Sequence, residues 1–407
     1  MKHHPQAHIQ GIRSSRMVDN HWIPYPSAKT DLKNNGTYAN KFAEVWRRTP
    51  KILIGVQDLR ARRGTFNTPW NAPSNPLYAM PELKFINDTL SDLMDERATE
   101  LYNEAKNSNK KLAVMWSGGI DSTAVLTSLL KNIPNNEHDM IEVIMTTSSI
   151  YENVEYWKKY INGKIKQSFY LDISLNTHFL DKYILLHGDP GDCLFGPSMP
   201  MYKDYFLKGL HKQPHSIYKI KIKNYLTDDL AVDFNQWYYD KISQSIGEIE
   251  QQDYVSTVAD FWWWTYFNFK WEFSCQRPFF YMRATSDKDG MLLYKKPISY
   301  EHQQRFAKNT FFNTDKFQQW SYTNLKRLIP DNDQSQHKID VKRYVYEFDH
   351  NEIYFVEKPK VGVKNPTQHI DIDRPVYYDN NWIGYSGNED NSTVDKSMRY
   401  LIERYEG

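Results

Sequence analysis

The chain is short of cysteine, of long apolar runs and of net charge, and each shortage closes off a class of function. Its two cysteines in 407 residues, Cys193 and Cys275, show neither a CxxC pair nor Cys/His ligand spacing. That excludes a disulfide framework and a zinc site, and it suits a reducing compartment. No apolar run approaches the roughly 20 residues that span a bilayer, and Met1-Lys2-His3-His4 leads into no hydrophobic signal region. A soluble, cytoplasmic protein without a membrane partner is the expectation. With 51 Lys and Arg against 50 Asp and Glu, the formal charge is +1, so the chain lacks the global basic field that draws proteins to nucleic acid. The local patch Lys219-Ile220-Lys221-Ile222-Lys223 leaves a nucleic-acid partner open, but it reads more simply as a solvated strand face. What is abundant is aromatic: 15% of the chain, with 12 Trp and 29 Tyr. Core and cleft alike must be built from flat, polar-tipped side chains, which by themselves name no ligand.

A length of 407 residues exceeds the size at which a single core stops growing, so two structural units are expected. Residues 1–80 show little periodicity, and Pro73, Pro76 and Pro81 break its end, which reads as an irregular N-terminal region. From Pro81 to Ala105 the apolar positions Leu83, Ile86, Leu90, Leu93, Met94, Leu101 and Ala105 recur at helical spacing. The polar turn Asn107-Ser108-Asn109 follows, and then the apolar strand Leu112-Ala113-Val114-Met115-Trp116. A helix carrying Ala124, Val125, Leu129 and Leu130 runs to Pro134. Further strands are predicted at 140–147, 167–173 and 183–187, with a helix from the first of these through about Ile161. Strands alternating with helices predict an α/β fold with a parallel sheet flanked by helices on both faces. The run Phe261-Trp262-Trp263-Trp264, with Tyr266, Phe267 and Phe269, predicts a helix wedged into the core of a C-terminal helical, aromatic-rich lobe at about 205–330. Residues 366–407 read as an extension, with a short closing helix at 392–405.

Between the strand that ends at Trp116 and its helix stands Ser117-Gly118-Gly119-Ile120-Asp121-Ser122. Two glycines let the backbone approach an anion, Ser117, Ser122 and Thr123 offer hydroxyls, and the first N–H groups of a helix face the charge. Asp121 would repel a bare phosphate, so a divalent cation such as Mg²⁺ is expected between carboxylate and phosphate. The Walker loop is excluded, because it ends in Gly-Lys and this loop holds no lysine. Roughly 70 residues further on, the strand Tyr183-Ile184-Leu185-Leu186-His187 runs into Gly188-Asp189-Pro190-Gly191-Asp192. Its two carboxylates, three positions apart, can face the same pocket and add metal ligands. Taken alone, Asp-Pro-Gly-Asp is ordinary turn composition, and His187 reads as a hydrogen-bonded histidine at the end of a buried strand.

Ser-Gly-Gly-x-Asp-Ser after a strand resembles the pyrophosphate loop of the ATP pyrophosphatases, which split ATP between its α and β phosphates. The order of the two loops, the second reading Gly-Asp-Pro-Gly-Asp-Cys-Leu-Phe-Gly, is similar to the synthetase domain of asparagine synthetases. There the second loop reads Gly-Glu-Gly-x-Asp-Glu-Leu-Phe-Gly-Gly. The resemblance covers about 81–365 and implies an adenine nucleotide alpha hydrolase-like, Rossmann-like domain with ATP and Mg²⁺ as cofactors. It implies phosphate binding by Ser117, Gly118, Gly119, Asp121, Ser122 and Gly188, and metal binding by Asp121 and Asp192. Asp189 stands where the family has a functional glutamate, and Cys193 replaces an acidic residue. Pro197 and Ser198 replace the second glycine and a tyrosine. Trp271-Glu272-Phe273 and Arg277-Pro278-Phe279 are similar to a family helix ending in Glu-x-Arg-x-Pro-Phe, with altered spacing. Glu357-Lys358-Pro359-Lys360-Val361-Gly362 stands where relatives carry Arg-x-Lys-x-Gly, which implies Lys360, with Lys358 in reserve, as the lysine that neutralises pyrophosphate. Members that use glutamine begin with a catalytic cysteine. This chain begins Met1-Lys2, so the implied reaction joins a small-molecule carboxylate to ammonia or an amine from a separate source. Two rival readings stand beside it: a nucleobase- or tRNA-modifying ATP pyrophosphatase, and a nucleotide-binding protein without turnover. Sulfur chemistry is disfavoured because the two cysteines lack the context of a nucleophilic pair.

Overall fold

The computed structural model describes residues 15–18, 21–24, 62, 80–145, 147–169, 179–196, 205, 207–218, 228–249, 252–272, 274–275, 284–286, 292–294, 309–328, 338–357, 374–378 and 381–386. The chain divides into two compact units. One comprises Lys84–Gly191, Lys308–Thr323 and Asp333–Gly407, the other Met1–Leu83, Asp192–Ala307 and Asn324–Asn332.

The first unit is built on a four-stranded, all-parallel sheet, which makes it α/β. Its strands are β1 (Lys111–Met115), β2 (Ile141–Met145), β3 (Lys166–Phe169) and β4 (Tyr183–His187), and their order across the sheet is β3-β2-β1-β4. In the centre, Val114 stands in register with Val143 on one side and Leu186 on the other. Leu112, Ala113 and Val114 are wholly buried, as expected of a parallel strand covered on both faces. Of the third strand expected at 167–173, Lys166–Phe169 is a strand and 170–173 lies outside the described residues.

Two helices bracket β1: α1 (Leu90–Asn107) precedes it and α2 (Ile120–Asn132) follows it, and the two pack on each other. The helix expected from Pro81 starts only at Leu90. Thr89 takes an extended backbone and closes a capping box with Asp92, each side chain accepting the other's backbone N–H at 3.1 and 3.3 Å. Upstream, the Ile86 N–H donates to Thr323 Oγ1 at 3.0 Å, a bond no helix could spare. The single helix expected after β2 is also divided. Asn153 leaves helical geometry and accepts from the Tyr156 N–H, so Thr147–Glu152 ends, Val154–Tyr156 restarts, and one π-helical turn, Trp157–Ile161, completes the segment. A third helix, α3 (Ile339–Asp349), lies against α2. Near the start of the strands, the buried Glu142 carboxylate accepts from Lys166 at 2.8 Å, from Tyr183 at 2.6 Å and from Ser168.

The second unit holds the helix Asp228–Gly247 and the helix Val258–Thr265, which is started by a Thr257/Asp260 capping box and prolonged by a π-helical turn, Tyr266–Lys270. Phe261, Trp262, Trp263 and Trp264 are all buried, so the aromatic run is core. Trp263 stacks on Phe267 at 4.5 Å, and Trp264 Nε1–H donates to Ser245 Oγ at 2.9 Å. The Arg62 guanidinium lies 4.6 Å from the Trp271 ring and donates to the Phe267 carbonyl. In the stretch expected to be irregular, Ser15–Val18 and His21–Pro24 pair as an antiparallel hairpin, in keeping with the β-forming Val18, Trp22 and Ile23. The closing helix expected at 392–405 lies outside the described residues, as does Lys219–Lys223. Among the described residues no helix is long and apolar enough to cross a membrane.

Candidate functional site

In an open parallel sheet, ligands settle beyond the carboxyl ends of the strands where the strand order reverses. Here the chain steps outward from β1 to β2 and β3, then returns to the other side of β1 for β4. The reversal therefore lies between β1 and β4. The loops that leave these two strands are the two glycine loops read from the sequence.

The first loop is held by its own serines. After Met115, the Trp116 N–H donates to the Ile144 carbonyl at 2.8 Å, and its indole N–H donates to Thr123 Oγ1 at 3.1 Å. Ser122 Oγ accepts from the Ser117 N–H at 3.1 Å, donates to the Gly119 carbonyl at 3.2 Å and lies 3.0 Å from Ser117 Oγ. Ser122 is thus a buried brace, and Ser117 is exposed. Gly118 is obligatory on two counts. Its φ is +75°, and a Cβ there would lie 2.3 Å from the Ser149 carbonyl oxygen. Gly119 is the N-cap of α2 and supplies no side-chain cap. The first N–H groups of α2, at Ile120, Asp121 and Ser122, have no acceptor within the helix and form its positive end.

The second loop closes on the first. The Gly191 N–H donates to the Gly188 carbonyl at 2.9 Å, with a cis bond between Asp189 and Pro190. A Cβ on Gly188 would lie 2.6 Å from the Ser122 nitrogen, and one on Gly191 would lie 2.6 Å from Asp121 Cγ. Only bare backbone fits at either position. His187 fixes the loop from below: buried, it accepts from the Asp189 N–H on Nδ1 at 3.2 Å, which leaves Nε2 to carry the proton toward Thr310 Oγ1 at 3.2 Å. The tautomer follows from that acceptor role.

The lysine that the loop lacks comes from α3. Lys338 is the N-cap residue of that helix, with φ +57°, and its Nζ donates to the Asp121 carboxylate. The lysine side chain is 2% exposed and that of Asp121 19%. Sequence reading passes over Lys338 and fixes on Lys360, since Lys338 matches no loop motif. Its one local signal is the helical pattern that starts at Ile339. Lys358 and Lys360 lie outside the described residues, as do Pro197, Ser198 and Arg277–Phe279. Close to Asp121, burial pushes the Tyr354 phenol far up against the opposing Thr123 hydroxyl, and the charges of Asp121, Asp349 and Glu152 push it further, so it remains protonated.

Asp192 belongs to the second unit. Its Oδ2 lies 3.6 Å from Nζ of the buried Lys270, whose ammonium also lies 4.6 Å from the Tyr266 ring centroid. Both carboxylates expected to bind Mg²⁺ therefore face a lysine. Among the described residues no three His, Cys, Asp or Glu side chains come together as a metal site. This donor set does not fit a protein-built cation site.

No family model matches the chain, and neither a curated protein nor a solved structure matches it.

Proposed function

We propose that the cradle at Ser117–Ser122 holds the phosphates of ATP and that the protein is a cytoplasmic, AMP- and pyrophosphate-forming ligase of the asparagine synthetase-like kind. On this reading the first unit is an adenine nucleotide alpha hydrolase-like, Rossmann-like domain, and the aromatic-rich helices belong to a C-terminal lobe. The observation that carries the proposal is the meeting of the two loops. A central strand delivers two glycines into a helix start that has no side-chain cap, and a second glycine loop from the neighbouring strand packs onto Asp121 at the point where strand order reverses.

A substrate carboxylate oxygen attacks the α phosphorus, the bond to the bridging oxygen breaks and pyrophosphate leaves. The nitrogen of ammonia or an amine then attacks the acyl carbon, loses a proton and expels AMP, which yields an amide. Backbone N–H groups of Gly119–Ser122 hold the phosphates, and the loop bearing Asp189, with Lys360, flanks the reacting centre in the manner the resemblance implies. The main work of such a site is positioning and charge stabilisation. No step is assigned to a metal, since both carboxylates the resemblance reserves for one already face a lysine.

ATP–pyrophosphate exchange, screened over small carboxylates including aspartate and glutamate, tests the proposal. Exchange that requires one small carboxylate supports it. ATP binding without exchange for any carboxylate moves the reading to a nucleobase-modifying ATP pyrophosphatase or to a binder without turnover.

A further inference from the structure

We propose that Lys338 is the permanent counter-cation of the cradle, so that the site takes a phosphate or pyrophosphate anion without a divalent metal. The inference rests on the reading of the cradle as a nucleotide-phosphate site, and it departs from the metal dependence that the resemblance implies. A carboxylate beside a phosphate is repulsive, and the usual remedy is a divalent cation between the two. Here the remedy is already covalently present. The Lys338 ammonium is buried against Asp121, while the carboxylate keeps a partly open face. Held at this distance in a partly desolvated site, the pair carries no net charge toward an incoming anion. What that anion meets is the positive end of α2, whose first N–H groups have no acceptor within the helix.

The placement is specific. Lys338 adopts left-handed backbone geometry at the N-cap of α3, so its side chain departs before the helix begins. The carboxylate it meets is held in turn by the close approach of Gly191. In a Walker loop the lysine is part of the loop itself. In this chain an equivalent charge arrives from a distant helix and is spent on neutralising the aspartate.

Calorimetric titration with sodium pyrophosphate, in EDTA and in excess MgCl₂, tests the inference on the full chain, Lys338→Met and the double variant Asp121→Asn/Lys338→Met. The wild type is expected to bind within about threefold equally in both buffers. Lys338→Met, left with a bare carboxylate, should lose on the order of 10- to 100-fold in EDTA and recover with Mg²⁺. The double variant, with both charges gone, should bind in EDTA again, and it keeps the test alive if the single variant does not fold. Wild-type binding that vanishes in EDTA overturns the inference and leaves the phosphate site standing, as does a Lys338→Met variant indifferent to the buffer. Failure of the double variant to bind in EDTA also overturns it. Absence of pyrophosphate binding to the wild type in either buffer overturns the inference and the phosphate site together.

Discussion

The ammonium of Lys338 rests on the carboxylate of Asp121, 217 residues away in sequence. The N-cap of α3 and the first turn of α2 thus share one charge pair, and the loop that flanks them has glycine at each place where a side chain would push that pair apart.

Gly191→Ala measures how tightly that geometry is set. The new methyl would stand 2.6 Å from Asp121 Cγ, whereas at Gly247 it would stand 3.8 Å from its nearest neighbour. Overpacking of this kind costs about 1–3 kcal/mol. Chemical denaturation should show that loss for Gly191→Ala and a change within about 0.5 kcal/mol for Gly247→Ala. Equal stability of the two variants would contradict the close packing of the loops.

Ser122→Ala separates the brace from the ligand. The hydroxyl serves the Ser117 N–H, the Gly119 carbonyl and Ser117 Oγ, and its removal leaves buried polar groups unmet at a cost of about 1–3 kcal/mol. Weaker ATP binding should accompany the loss of stability. Weaker binding at unchanged stability would assign Ser122 to direct phosphate contact.

Glu142 sets an acid limit on the sheet. Burial pushes its carboxyl up, but the Lys166 ammonium and the Ser168 and Tyr183 hydroxyls outweigh burial and hold it below the ordinary glutamate value. A carboxyl lowered in the folded state contributes stability that is complete above its unfolded value of about 4.3 and is lost as pH falls through the folded value. Asp92, through its bonds to Thr89, and Glu137, through Lys106 and Tyr102, are lowered too. The difference between wild type and Glu142→Gln therefore isolates this residue. It should shrink as pH drops below about 4, and a difference constant from pH 7 to pH 3 would contradict the assignment.

The parallel sheet was legible because β1, β2 and β4 are largely buried and read as mostly apolar runs, broken in β2 by Glu142. The glycine loop was legible because its chemistry is contiguous. Helix boundaries were less so: Leu83 and Ile86 keep helical spacing although Thr89, through its capping box, starts the helix at Leu90. Side-chain periodicity carries no record of which backbone N–H is already bonded elsewhere, and the Ile86 bond to Thr323 is of that kind. Lys338 escaped notice for a related reason. An isolated lysine before a helix has no signature in sequence, and its burial against Asp121 exists only once α3 has packed on α2.

Amide hydrogen exchange over residues 117–123, with ATP, with pyrophosphate and with adenosine, tests the central claim most directly. Exchange in that segment should slow with ATP and with pyrophosphate and stay unchanged with adenosine, since the phosphates engage the backbone of the cradle. Exchange left unchanged there by saturating ATP would contradict the claim.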